Sequence, residues 1–101
     1  MNDYINGCYT RYGSRPMSKD EVQYTRKLKN GMWACYGYID NIADGISIDV
    51  YRYPDMQELV FYDHDYDLSG FDEDNPHLTN HQIKMLDRFL KKRLKEMGLA
   101  K

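Results

Sequence analysis

The fold is decided by residues 21–40, which read EVQYTRKLKNGMWACYGYID. Up to Lys29, apolar and polar residues mostly alternate, which is typical of a β-strand with one face in water. The pair Asn30-Gly31 then favours a two-residue type I′ turn, in which both central residues need a positive φ. Residues 32–39 return as a second strand. We therefore predict a β-hairpin over about residues 21–40.

A two-residue turn also determines which side chains of the hairpin share a face. It places Leu28 opposite Trp33, on a face that is largely apolar. We expect this face to form the core, with Trp33 as the anchor under a helix. Its members are Val22, Tyr24, Leu28, Trp33, Cys35 and Ile39. The other face, of mixed character, carries Lys27, Lys29, Met32, Tyr36 and Tyr38.

One local pattern competes with the first strand of the hairpin. Ser18 is followed three residues later by Glu21, and this spacing matches a capping box at the start of a helix. Such a helix would cover residues 19–29 and end at Asn30-Gly31. The spacing of the apolar residues fits a strand better, but both alternatives stay open from the sequence.

The remaining chain predicts two further strands and one helix. Residues 46–53 alternate in polarity and read as a third strand, and residues 59–62 are a short apolar run that reads as a fourth. Thr79 and Gln82 form a second capping box. Apolar residues then follow at helical spacing up to Gly98, which predicts a helix over residues 79–98. The apolar stripe consists of Ile83, Leu86, Leu90, Leu94 and Met97, with Phe89 beside it.

Together these elements predict a single α+β domain over residues 1–101. A small antiparallel sheet, a meander of three to four strands, occupies residues 19–62. The C-terminal amphipathic helix packs on one face of this sheet. Residues 1–18 are expected to be irregular, and residues 63–78 are expected to form an acidic loop, since they are rich in Asp and broken by Gly70 and Pro76.

Composition limits the class of protein. Only 20 of 101 residues are Leu, Ile, Val or Phe, but ten Tyr and one Trp keep the chain in the globular class. The first residues resemble no signal peptide and no stretch is apolar enough for a membrane span, so we expect a cytoplasmic location with Cys8 and Cys35 as reduced thiols. No nucleophile, phosphate-loop or cofactor motif is present, so we expect neither an enzyme nor a bound cofactor.

Charge is distributed unevenly along the chain. The net charge is +3 over residues 1–39, −10 over residues 40–75 and +5 over residues 76–101, although the whole chain carries only −2. An acidic segment of this kind suits electrostatic contact with a basic protein, or imitation of nucleic acid in a basic groove. The predicted contact residues are Asp63, Asp65, Asp67, Asp72, Glu73, Asp74 and Tyr66.

The acidic segment also has two other readings. It is a solvated loop that binds nothing, or it is a cation site. Asp63, Asp65 and Asp67 begin like a calcium loop of the EF-hand type, but Leu68 stands where that loop needs Gly and Asp74 where it needs Glu. We therefore predict no metal site. The three histidines around the segment, His64, His77 and His81, are expected to be exposed polar residues.

A second candidate surface is basic. Arg26, Lys27 and Lys29 lie on the hairpin, and the segment from Lys27 to Trp33 resembles the first hairpin of the AP2-like, arm-type DNA-binding domain of tyrosine recombinases. That resemblance implies three strands and a helix set against the major groove. The next strand departs from the family, since it carries Asp49 and only one basic residue. The alternative nucleic-acid-binding residues are Arg26, Lys27, Lys29, Arg88, Lys91 and Lys92.

The sequence thus predicts a non-enzymatic binding module. Our first expectation is that the acidic segment engages a protein partner with a basic surface, in the style of an inhibitor, immunity or anti-defence protein of phages and mobile elements. The alternative is nucleic-acid binding through the basic hairpin and the C-terminal helix. An edge strand of the sheet also offers a surface for pairing with a second copy.

Overall fold

A computed structural model describes residues 15–99, so Cys8 and most of the predicted irregular segment lie outside the described residues. The predicted α+β meander with a C-terminal helix is confirmed, and its four strands lie antiparallel in the order in which they occur along the chain. The elements are β1 (Val22–Lys27), β2 (Trp33–Gly37), β3 (Ile46–Tyr51), β4 (Leu59–Tyr66) and α1 (Asn80–Glu96).

The hairpin of β1 and β2 turns at the predicted place but in a different register. Lys27, not Leu28, lies opposite Trp33. The Gly31 N–H donates to the Leu28 carbonyl at 3.0 Å, and only Gly31 of the Asn30-Gly31 pair has a positive φ, of 85°. This is a three-residue loop with glycine in the left-handed region, the next most common hairpin connection after the two-residue turns.

This change of one residue reverses the predicted faces of β2. Ala34 and Tyr36 lie on the side of the helix, in the main buried cluster. Trp33 and Cys35 lie on the other side of the sheet. The prediction of Trp33 as the anchor under the helix is therefore wrong: it is half-buried, and the Lys27 Nζ lies 6.0 Å from its ring centre.

The alternative helix over residues 19–29 is also wrong. Residues 18–21 form a tight turn, in which the Glu21 N–H donates to the Ser18 carbonyl at 3.0 Å. The Glu21 side chain accepts from the Ser18 N–H at 2.8 Å, as in a capping box, but the chain then continues into β1. Half of the capping interaction is thus used to close a turn before a strand.

The helix packs over the sheet through most of its predicted apolar stripe, whereas Met97 at the end of that stripe is exposed. Thr79 caps α1, and the predicted capping box with Gln82 is present. Leu86, Leu90 and Leu94 are buried in one cluster with residues of β2, β3 and β4. These three leucines recur every four residues, so they lie on one side of the helix. The members of β2, β3 and β4 in the cluster are Ala34, Tyr36, Ile46, Ile48, Val50, Val60 and Phe61.

The opposite face of the sheet is buried as well. A second cluster there contains Met17, Cys35, Ile39, Tyr51 and Leu59. Strand β3 is consequently buried at all six positions, although a polarity pattern that alternates in this way usually leaves one face in water. Residues before β1 and connections between the strands provide the cover, since Met17, Ile39 and Ile42 lie outside the strands.

Strand β4 is longer than the predicted fourth strand. It extends to Tyr66 instead of Tyr62, so the first four residues of the predicted acidic loop are part of the sheet. Within residues 15–99, no helix is long and apolar enough to span a membrane.

Candidate functional site

The topology gathers acidic residues at one end of the sheet. In an antiparallel meander, the connection from β2 to β3 and the segment after β4 lie at the same end. Gly45, in the connection from β2 to β3, shows this directly. A Cβ atom at this position would lie only 2.3 Å from the Tyr66 carbonyl oxygen at the end of β4. We call this region the acidic end. It comprises the exposed residues Asp40, Asp44, Asp65, Asp67, Asp72, Glu73 and Asp74.

The Tyr38 side chain interacts with residues of both the connection from β2 to β3 and the segment after β4. Its ring packs on Phe71 with centres 5.4 Å apart, which folds the segment after β4 back onto β2. Burial raises the pKa of Tyr38, and the carboxylates of Glu73, Asp40 and Asp44 raise it further. Carboxylates from two separate connections therefore act on one hydroxyl.

The structure divides the predicted acidic contact set. Asp63 is half-buried in β4, and burial, together with the adjacent Asp65, raises the pKa of its carboxyl. Tyr66 packs against Phe89 of the helix at 4.4 Å, so its ring contributes to the domain interior. The remaining residues, Asp65, Asp67, Asp72, Glu73 and Asp74, are exposed at the acidic end.

Asp40 and Asp44 belong to the acidic end but were missed as site residues. Both lie in the connection from β2 to β3, about twenty positions before the predicted acidic loop. The signal that could have found them is the meander itself, because it places that connection beside the segment that follows β4.

The carboxylates of the acidic end are not neutralised by the rest of the described chain. The ion pairs within residues 15–99 are Arg15–Glu21, Arg26–Asp87, Arg52–Glu58, His64–Asp49 and Arg93–Glu96. None of these includes a residue of the acidic end. Its negative potential is therefore free to act on a partner.

A groove lies between β1 and the helix, on the opposite side of the helix from β4. Its volume is about 870 Å³. Four of the six predicted basic residues line it, namely Arg26, Lys29, Arg88 and Lys91. The other two, Lys27 and Lys92, do not line it. Lys27 lies over Trp33 on the other face of the sheet. The structure therefore brings together most of the basic set, but in a groove rather than on an open face.

The interior of the groove is apolar, with one polar contact. Leu28, Leu90, Leu94 and Leu99 line it. Arg26 forms an ion pair with Asp87 across it, and the Tyr36 hydroxyl donates to the second Asp87 oxygen at 2.6 Å. Burial raises the pKa of Tyr36 well above its usual range, and the Asp87 hydrogen bond adds to this effect. The hydroxyl thus stays a donor at every physiological pH.

The side of the sheet away from the helix contains a buried polar cluster around Asp49. One Asp49 oxygen accepts from the Met17 N–H and from the Tyr51 hydroxyl, each at 2.8 Å. The other lies 2.8 Å from His64 Nε2. The prediction that His64 is exposed is wrong, whereas His77 and His81 are exposed as predicted.

This cluster contains the residue types of a Ser-His-Asp site, but not its accessibility. Ser47 Oγ and His64 Nδ1 are buried without a hydrogen-bond partner among the described residues. Ser47 is completely buried, so a substrate has no access to its hydroxyl. The arrangement instead joins the segment before β1 to the middle of the sheet through the Met17 N–H.

Over the described part of the chain, no three His, Cys, Asp or Glu side chains lie close enough together to hold a metal ion. Cys35 is a buried free thiol, and burial raises its pKa.

No known protein family matches the chain, and no curated protein or solved structure matches it either. The functional argument therefore depends on the two charged surfaces, the acidic end and the groove.

Proposed function

We propose that the protein is a cytoplasmic, non-enzymatic binding protein whose acidic end engages a protein partner with a basic surface. Inhibitor, immunity and anti-defence proteins of phages and mobile elements act in this style. The observation that carries the proposal is the convergence of separate segments: the connection from β2 to β3, the end of β4 and the turn at Glu73 all contribute exposed carboxylates that form no ion pair among the described residues.

The chemistry of the acidic end suits recognition by charge. Exposed carboxylates attract a basic partner over distances of about a Debye length, roughly 8 Å at physiological salt, and so raise the rate of association. The half-buried Tyr38 and Phe71 beside them add amphipathic contact area of the kind that is enriched at interfaces. The expected partner surface is therefore rich in Arg and Lys.

The test begins with affinity capture of partners from the native host, with the full chain as bait. A triple variant, D44N/D67N/E73Q, removes three charges from the acidic end. A control of equal charge change, D55N/E58Q/E96Q, removes three charges elsewhere, from the exposed Asp55 and Glu96 and from the partly buried Glu58. Glu96 and Glu58 pair with Arg93 and Arg52, so this control also includes the loss of two ion pairs. We expect the first variant to associate about tenfold or more slowly than wild type at low salt, with a weaker salt dependence. Equal association of the two variants would contradict the proposal.

The alternative function is nucleic-acid binding through the hairpin and the helix. It is favoured by one observation, that Arg26, Lys29, Arg88 and Lys91 line a single groove. A filter-binding titration with duplex and single-stranded DNA at low salt tests it. Retention that is lost in K29E/K91E would support this alternative, and no retention at micromolar protein would remove it.

A further inference from the structure

We propose that the groove between β1 and the helix binds an extended acidic segment of a partner protein. The segment would pair its backbone with the edge of β1 that has no neighbouring strand within residues 15–99, and would place apolar side chains in the groove. This site differs from the acidic end, and the inference does not depend on the function proposed for that end.

The outer edge of β1 is the first feature that supports this proposal. This strand is the first of the sheet and pairs only with β2 within the described chain, so its outer backbone groups face away from the sheet. Its register with β2 is regular from Tyr24 to Lys27, and the one irregularity is confined to its start. An exposed edge of this kind is a template for an added strand.

The other edge of the sheet is less suited to such pairing. The register of β4 with β3 shifts near both of its ends. Its outer half also carries Asp63 and Asp65, whose charges would repel an acidic segment. The two edges therefore differ, and β1 is the one that offers both regular geometry and a favourable charge.

The apolar surface beside this edge is the second feature that supports the proposal. The helix covers β2, β3 and β4, whereas Leu28 at the end of β1 is only partly buried. Leu28 and Leu99, each only partly buried, consequently line the opening of the groove, whereas Leu94 beneath them is buried in the core. Side chains that alternate on an added strand would point into this groove at every second position.

The positive charge of the groove is the third feature that supports the proposal. Lys29, Arg88 and Lys91 are exposed and form no ion pair among the described residues. Arg26 is compensated by Asp87. The groove thus has an excess of three positive charges around an apolar floor, which is complementary to a segment that mixes Asp or Glu with apolar residues.

The same features favour a peptide over a nucleic acid. A phosphate backbone would contact the three basic side chains. It has no N–H and C=O groups at the spacing of a β-strand, however, and it would leave the apolar lining of the groove uncovered. The volume of about 870 Å³ lies within the range of roughly 300–1,000 Å³ that is common for ligand sites. The regular stretch Tyr24–Lys27 would be about 13 Å long at a rise of about 3.3 Å per residue, which suits a segment of about four residues.

The test uses a displayed library of random ten-residue peptides, selected against the full chain. We expect selected peptides to alternate acidic and apolar residues. The peptide that is most enriched is then synthesised with a fluorophore, and its Kd is measured by polarisation. K29E/K91E should weaken this Kd at least tenfold. K92E/K95E, which makes the same charge change on exposed helix residues outside the groove, should change it less than twofold.

A second measurement tests the pairing with β1. N-methylation of alternate backbone nitrogens of the peptide should abolish binding in one phase of the alternation and spare it in the other, because only one set faces the edge of a strand. D44N/D67N/E73Q should leave the Kd unchanged, which separates this site from the acidic end.

The proposal is overturned by any of three results: selection yields no enriched peptide, the enriched peptides bind K29E/K91E as well as wild type, or both N-methylated phases bind equally. Binding of a DNA oligonucleotide that is lost in K29E/K91E, without an enriched peptide, would assign the groove to nucleic acid instead.

Discussion

The two faces of the sheet are buried by different means. The face under the helix is covered by one regular element, whose leucines meet a continuous apolar surface. The other face is covered by irregular segments, and its centre is a carboxyl group, that of Asp49, with three hydrogen bonds. The first face is stabilised by the apolar area that it removes from water, and the second by a smaller apolar cluster together with the hydrogen bonds of the Asp49 carboxyl group.

This difference concerns specificity as well as stability. An apolar surface accepts any cover of about the right shape, whereas a buried carboxyl accepts only a cover that brings donors to the right place. The Met17 N–H is such a donor, and it fixes the path of the chain before β1.

The largest effect is expected at the centre of the polar face. D49A removes the acceptor of three buried hydrogen bonds, one of them from His64, and we expect it to lower the free energy of unfolding by about 4 kcal/mol. Urea denaturation followed by Trp33 fluorescence measures this loss. D49N keeps one acceptor oxygen and should lose less, and the exposed D55N should lose under about 0.5 kcal/mol. A loss under 1 kcal/mol in D49A would mean that the polar face adds little.

The helix-covered face should be slightly less sensitive to a single change. Leu90 is buried near the centre of the main cluster. L90A removes apolar contacts and leaves a cavity, which we expect to lower the free energy of unfolding by about 3 kcal/mol in the same denaturation experiment. K92A on the exposed side of the helix is the control. If L90A cost more than D49A, the order of the two faces would be reversed.

A smaller effect is expected where a polar contact crosses the helix-covered face. Y36F keeps the buried ring and removes only the hydroxyl that donates to Asp87. Hydrogen bonds to charged groups contribute about 1.5–3 kcal/mol, and because Asp87 retains Arg26 we expect a loss near the lower value. Y24F, which removes an exposed hydroxyl from the neighbouring stacked ring, should be neutral. Equal losses would show that the Asp87 contact is not stabilising.

The smallest effect is expected at the outer rim of the polar face. Hydrogen bonding to Arg15 lowers the pKa of Glu21 to about 2. A lowered pKa stabilises the fold above the unfolded value near 4.5, and this stabilisation is lost as the pH falls towards 2. Arg15 is 44% exposed, so solvent screening keeps the contribution under about 1 kcal/mol.

We therefore expect E21Q to be slightly less stable than wild type at pH 7 and to approach it as the pH falls from about 5 to 2. Denaturant midpoints measured across this range give the difference. A constant difference over the whole range would show that the ionised carboxylate is not what stabilises the turn before β1.

The elements of the fold were predictable because each has a strong local pattern. The helix is predicted by Thr79, Gln82 and the leucine spacing, and these features do not depend on distant residues. The hairpin register was not predictable in the same way. Asn30-Gly31 is compatible with both a two-residue and a three-residue loop, and the Asn30 side chain donates to the Leu99 carbonyl, 69 residues away. No local pattern contains that contact.

The sites were less predictable than the elements for a similar reason. The groove depends on which face of β1 meets the helix, and the predicted register placed the wrong face there. The groove could therefore not be predicted from the sequence. The buried role of Asp49 and His64 depends on Met17, which lies in a segment without periodicity. Only the acidic character of residues 63–74 was visible directly, and even there the fold removed Asp63 and Tyr66 from the open surface.

The meander has a consequence for the order of folding. Neighbouring strands in the chain are neighbours in the sheet, so the sheet closes only short loops, whereas Asp87 of the helix contacts Arg26 and Tyr36 across 61 and 51 residues. Loop closure of that length is entropically costly, so we expect the helix to dock after the sheet has formed. Helix substitutions such as L90A should then act mainly by accelerating unfolding, and stopped-flow chevrons would show their effect on the unfolding limb.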